Sequence, residues 1–215
     1  AVVRALYAGA VRQMDDFLGR VFAALEATSQ LERTTVVLTA DHGEELLEHG
    51  HVGHASTSHH ATLYEEVLRV PLLFIDARIK RPRTIAARVQ GPDLFPTLLG
   101  LGGAALRQPA GGPAVDLGGL LVDPAAPLPA GLTADRVLAF QSARMGYQTP
   151  ASHSAQVIWG FSDGRRKYIY EHYEAPRQLL YDLASDPGEQ APRTHGPEVA
   201  AAHAELLALR KTAGQ

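Results

Sequence analysis

Cysteine is absent from all 215 residues. That excludes a disulfide, a thiolate metal site and a cysteine nucleophile within this chain. Long apolar runs are missing too: nothing approaches the ~20 consecutive residues of a membrane-spanning helix. The opening AVVRALYAGAVRQMDD has no secretory-signal order, a basic start followed by an apolar block. Nor does one charge dominate. Twenty Lys and Arg stand against 23 Asp and Glu, a formal −3, so there is no global attraction to nucleic acid or to an acidic membrane. What is present, 46% hydrophobic and 20% charged residues, is the composition of a packed globular chain. The chain opens without Met and inside an amphipathic register, so we expect it to be cut from a longer polypeptide.

Val3, Leu6, Ala10, Met14, Phe17, Val21 and Leu25 recur at spacings of 3, 4, 4, 3, 4 and 4, the stripe of a helix packed on one face. TTVVLTA follows, β-branched and apolar on successive residues, which predicts a strand covered on both faces in a parallel sheet. DHGEELLEHG reads as a loop with one helical turn. A helix is expected over 61–67, a strand over 70–75 with Pro71 disturbing its start, and a helix over 92–101 capped by Asp93. The Gly-, Pro- and Ala-rich segment 102–129 predicts a surface loop with little regular structure. Beyond it, RVLAFQS suits a strand. Three antiparallel strands are expected at 155–162, 167–172 and 178–182, the first two joined by an Asp163-Gly164 turn, and a closing helix over 197–211. The change of texture puts a boundary near residue 132.

Six of the ten histidines lie between His42 and His60. Asp41 and His42 follow the first strand, and in open α/β sheets ligands bind beyond the carboxyl ends of strands. A carboxylate and an imidazole are good ligands for a divalent cation, and Gly43 lets the chain turn there. The competing reading makes Asp41 a cap and His42 merely exposed. HGEELLEH contains neither H-E-x-x-H nor H-x-x-E-H, so a zinc-protease site is set aside. Glu44/Glu48 and Glu45/His49 have the spacing of a solvated helical face. His49, His51 and His54 suit a solvated loop, Arg165, Arg166 and Lys167 a solvated hairpin end, and Asp182, Asp186 and Pro187 a turn. Glu66 and Arg69 read as framework, with Arg69 pairing to a carboxylate.

Four segments, TVVLTADHGEELLEHG, HHATLYEEVLRVPLL, GPDLFPTLLGL and LLYDLASDPGEQ, resemble in order four signatures of the sulfatase family, within the alkaline-phosphatase superfamily. YAGAVRQMDDFLGRV is similar to the family segment that precedes them. The resemblance implies an α/β fold with an alkaline-phosphatase-like mixed sheet flanked by helices, present in part (1–131). A small C-terminal α+β subdomain with an antiparallel sheet and a terminal helix would follow (132–215). It implies hydrolysis of sulfate esters with one divalent cation, Ca2+ first, with Mn2+, Mg2+ or Zn2+ as alternatives. Asp41 and His42 match the family's metal-ligand pair. Many members have Asp-Asn there, and a histidine is similar to the D-H-G branch, where phosphonate and phosphodiester hydrolases also occur.

By the same resemblance His60, four residues before Tyr64, matches the Lys or His that touches the sulfate and the leaving-group oxygen, with His59 its rival. An imidazole there can neutralise or protonate a departing oxygen. The family's nucleophile is a formylglycine made from Cys or Ser in C/S-x-P-x-R, and this chain has no such motif. The resemblance therefore implies that the nucleophile and two further metal-binding aspartates lie on a missing N-terminal part, and that this chain alone is inactive. The implied partner is a small anionic sulfate or phosphate ester, with no nucleic acid and no membrane segment, and the implied location periplasmic or secreted. The alternatives are a phosphodiester or phosphonate monoester hydrolase, and a catalytically incomplete fragment that binds metal or a partner.

Overall fold

A computed structural model describes residues 2–54, 62–104, 114–143, 157–172 and 175–212. In chain order the elements are α1 (Val2–Ala27), β1 (Val36–Thr39), β2 (Glu45–Leu46), β3 (Val52–Gly53), α2 (Glu65–Leu68), β4 (Leu72–Ile75), α3 (Leu94–Leu101), α4 (Gly118–Val122), β5 (Leu138–Ala143), β6 (Val157–Ser162), β7 (Arg166–Glu171), β8 (Arg177–Asp182) and α5 (Pro197–Thr212). Short 3-10 turns stand at Leu31–Arg33 and Gly91–Asp93. They form two compact units, one of residues 1–41 with 71–134 and one of residues 42–70 with 135–215. Among the described residues no helix is long and apolar enough to cross a membrane.

In the first unit the predicted stripe does form one long helix, α1. The strand after it departs from expectation. β1 pairs antiparallel with β4, Val36 opposite Ile75 and Thr39 opposite Leu72, where the β-branched run predicts a parallel sheet. Nor is the pair closed on both faces: Leu73 and Ile75 point outward while Leu72 and Phe74 are half-buried. Such alternation belongs to an antiparallel pair with one open side.

The core of this unit comes from the segment that composition marks as loop. Val115, Leu117, Leu120, Leu121 and Leu132 are buried, with Phe74, Ile79, Ile85, Val89 and Leu101 packed on them. Part of that segment is the helix α4. Asp93 stands at the N-terminus of α3 as predicted, but its side chain makes no cap bond to that helix and serves the 3-10 turn before it and the segment beyond instead. One of its oxygens accepts from the Gln90 N–H at 2.9 Å and the other from Val115 N–H at 2.8 Å. Thr97 donates its hydroxyl to the Asp93 carbonyl and accepts from Leu117 N–H. These bonds supply backbone partners for a stretch with little ladder of its own, as buried amides require.

In the second unit β5, β6, β7 and β8 form a four-stranded antiparallel sheet in that order, close to the predicted strands. The Asp163-Gly164 turn is present. Gly164 has φ 91°, and the Asp163 carboxylate accepts from the Arg165 and Arg166 N–H groups. Alternation sorts the side chains. Ile158, Ile169, Leu179 and Tyr181 bury one face with Leu63, Tyr64 and Phe140. Phe161, Tyr168 and Leu180 bury the other under Val199, Ala202 and Leu206 of α5. Each such large apolar side chain contributes about 1.5–3 kcal/mol. Gly160 is required at its position, since a Cβ there would lie 2.4 Å from the Phe140 ring and 2.7 Å from the Tyr168 carbonyl.

Candidate functional site: the histidine-rich hairpin

Asp41 lies two residues past the end of β1 and is exposed; His42 is exposed as well. The Nδ1 of His42 is 2.8 Å from the Gly43 carbonyl. A carbonyl only accepts, so Nδ1 carries the proton and the lone pair is on Nε2, the tautomer a metal-ligating imidazole uses. The His42 ring also packs at 4.1 Å on that of His54, whose Nδ1 meets Glu44 at 3.0 Å. Gly43 is held tightly. Its N–H donates to the Val67 carbonyl, the Glu44 N–H donates to that of Glu66, and a Cβ on Gly43 would sit 1.9 Å from the Glu66 oxygen.

The helical turn expected in DHGEELLEHG does not form. β2 and β3 pair as a small hairpin, Glu45 opposite Gly53 and Leu46 opposite Val52. Leu47 (φ 79°) and Gly50 (φ 84°) take left-handed conformations between them, and Leu47 N–H donates to the His51 carbonyl. The solvated face predicted for Glu45 and His49 is therefore wrong. Glu45 is fully buried, and the His49 and Glu66 side chains are only 10% and 18% exposed. Burial pushes the Glu45 carboxyl up, opposed first by the Thr62 hydroxyl and then by His51.

His49 lies in the loop between β2 and β3 but is not solvated there. Its Nδ1 is 2.5 Å from a Glu66 oxygen, and its Nε2 is 3.1 Å and 3.2 Å from the carbonyls of Gly188 and Glu189. The ring stacks on Tyr64 at 3.6 Å. One imidazole thus joins the hairpin, the entrance to α2 and the turn after β8.

Lys167 departs most from expectation. Predicted at a solvated hairpin end, its side chain is fully buried, with Nζ 2.8 Å from Glu189 and 3.1 Å from Glu65. Glu189, with φ 53° and 2% exposure, also accepts from the Glu65 N–H at 2.7 Å. Burial raises the Glu189 carboxyl pKa, and Lys167 opposes that rise. Arg69, expected to pair with a carboxylate, is exposed and forms no ion pair among the described residues. His59 and His60 lie outside the described residues. Glu45, Glu189 and Lys167 were missed as partners. For Glu65 and Glu189 the weak signal was the recurrence of acids in YEE and PGEQ with the basic GRRK between them in sequence.

This alternation of helices and short antiparallel strands, closed by a four-stranded sheet and a helix, is the fold of the alkaline-phosphatase superfamily. One solved structure, in complex with its substrate D-glucosamine-2-N,6-O-disulfate, superposes with a TM-score of 0.72 at 27% identity, over 94% of this chain and 39% of that one. A phosphonate monoester hydrolase of Agrobacterium radiobacter shares the fold with a TM-score of 0.75 at 24% identity, over 97% of this chain and 41% of that one. The sulfatase family model matches residues 2–104. Arylsulfatase K of Xenopus laevis is 29% identical over 87% of this chain and 33% of its own length. The multifunctional alkaline phosphatase superfamily protein PehA of Trinickia caryophylli is 31% identical over 93% of this chain and 38% of its own. The sulfatase match thus takes in just under half of the chain, and the chain spans between a third and two-fifths of the length of these relatives.

Proposed function

We propose that this chain forms part of the active site of a metal-dependent hydrolase of sulfate esters, with the Asp41 carboxylate and the His42 Nε2 as two ligands of one divalent cation. The observation that carries this is the His42 tautomer: Nδ1–H on the Gly43 carbonyl leaves Nε2 able to coordinate. A hard oxygen and an imidazole nitrogen suit several divalent ions, and family resemblance puts Ca2+ first. Such a cation, when bound, neutralises charge on the ester's oxygens. His60, or its neighbour His59, would stand at the leaving-group oxygen. The family's formylglycine would come from polypeptide outside these 215 residues, and a periplasmic or secreted location goes with the same reading.

A second reading, a phosphonate or phosphodiester hydrolase, is favoured by the D-H-G form of the ligand pair. The breadth stated in the name of the PehA relative favours it too. Aryl sulfate and aryl phosphodiester turnover by the full-length protein decides between the two; no turnover of the sulfate overturns the first. In the same protein Asp41→Ala should lower metal content and abolish turnover together. His60→Ala should leave the metal and slow esters of poor leaving groups most. An Asp41→Ala protein with full metal content would remove the ligand assignment.

A further inference from the structure

We infer that Glu45, His49 and Glu66 form a second divalent-cation site, of the zinc or manganese class, beneath the hairpin. One ligand atom from each of the three lies within 4.8 Å of the others. Two carboxylates and an imidazole are the donor set of such ions.

Two features point to a ligand. Glu45 is completely buried, and neither of its carboxylate oxygens has a hydrogen-bond partner among the described residues. A buried carboxylate in that state is costly unless a cation or proton meets it. Second, the outer side of His49 is arranged as for a ligand. Its Nε2 lies among the Gly188 and Glu189 carbonyls and the Gln190 side-chain amide, and its Nδ1 faces Glu66. A backbone carbonyl behind the ring is the usual orienting partner of a metal-bound histidine.

Nδ1 lies 2.5 Å from a Glu66 oxygen. Donors on one ion stand about 3–3.5 Å apart, so a cation between the two opens the contact by about 0.5–1 Å. The Thr62 hydroxyl is a candidate fourth donor. The consequence is structural. An ion here would tie the hairpin that follows His42 to the start of α2 and to the turn after β8.

The test uses full-length protein stripped with a chelator and dialysed against zinc chloride, read by elemental analysis and thermal melting. To remove the Asp41–His42 pair from the result, it is run in an Asp41→Ala/His42→Ala background. That protein should hold about one Zn2+ per chain and melt higher with zinc than without it. Loss of an outer partner of a ligand costs about 10–100-fold in affinity; Glu45→Gln, which removes a ligand, should cost at least the upper figure and abolish the rise in Tm. Glu66→Gln, at a less buried position, is the second variant and should do the same if Glu45→Gln fails to fold. No zinc in the background protein overturns the inference, and so does unchanged zinc affinity in a folded Glu45→Gln or Glu66→Gln. Failure of the Asp41–His42 assignment looks different: metal content would then be equal with and without the double substitution.

Discussion

α1 and α5 make an instructive pair. α1 carries the cleaner apolar stripe, yet none of its residues is buried: Leu6 is 70% exposed, Met14 57% and Phe17 51%. α5 has a weaker pattern, and it buries Val199, Ala202 and Leu206 almost completely against β6, β7 and β8. Periodicity therefore states which face of a helix is built for cover, whereas contact with a sheet decides whether the cover is there. The same contrast holds for charge. Beside α5's sheet even a lysine is enclosed, while in the first unit Arg78 pairs with Asp76 with half of its side chain in solvent.

If the second unit is the better-closed one, the greatest loss should follow from Lys167→Ala. Two glutamates would lose their cation, and one of them, Glu189, has no access to water. Breaking a buried pair in this way costs about 3–5 kcal/mol. Urea unfolding followed by the fluorescence of Trp159, the sole tryptophan, measures it. Removing both charges, as Lys167→Met with Glu189→Gln, should cost far less, because no lone charge remains inside. Equal losses in the two proteins would mean that volume and not charge holds the site.

Local signals account for what could be anticipated. The Asp163-Gly164 turn, the strands around it and α5 each depend on residues a few positions apart. So does the placement of Asp41 and His42 at a strand end. What escaped depends on pairing across distance. The antiparallel partnership of β1 with β4 cannot be told from two apolar runs. The left-handed Leu47 that allows the β2–β3 hairpin has no turn residue to announce it. The meeting of Glu45, His49 and Glu66, and of Lys167 with Glu65 and Glu189, needs the register of the C-terminal turn against 62–66. The core at 115–121 was hidden by its glycines and prolines, which describe the backbone and not the leucines between them.

A middle-sized effect tests burial of charge without a full partner. Glu171 ends β7 with a side chain 12% exposed and Arg177 at 3.3 Å. Burial raises its carboxyl above 4.5, with Arg177 opposing the rise. A raised pKa in the folded state means the neutral form suits the fold. The group's favourable contribution is complete below the ordinary value of 4.5 and is lost as pH climbs through the raised one. Glu171→Gln should thus match the parent well below pH 4.5 and exceed it at neutral pH, by on the order of 1 kcal/mol. Parallel urea midpoints at the two pH values check this. A variant weaker than the parent at neutral pH would show that Arg177 outweighs burial.

The smallest effect is expected on α1, and it tests the comparison most directly. Phe17 is half exposed, with the guanidinium of Arg20 5.8 Å from its ring centre. Serine and phenylalanine have similar helix propensities. Phe17→Ser should therefore shift stability by no more than about 0.5 kcal/mol, as for most exposed positions. Phe161, by contrast, is fully enclosed, and truncating a buried phenylalanine to alanine costs about 3–5 kcal/mol. Phe161→Ala serves as the control in the same urea titration. A loss from Phe17→Ser approaching that of the control would mean the α1 stripe is covered in solution, and the two helices would then differ only in which surface covers them.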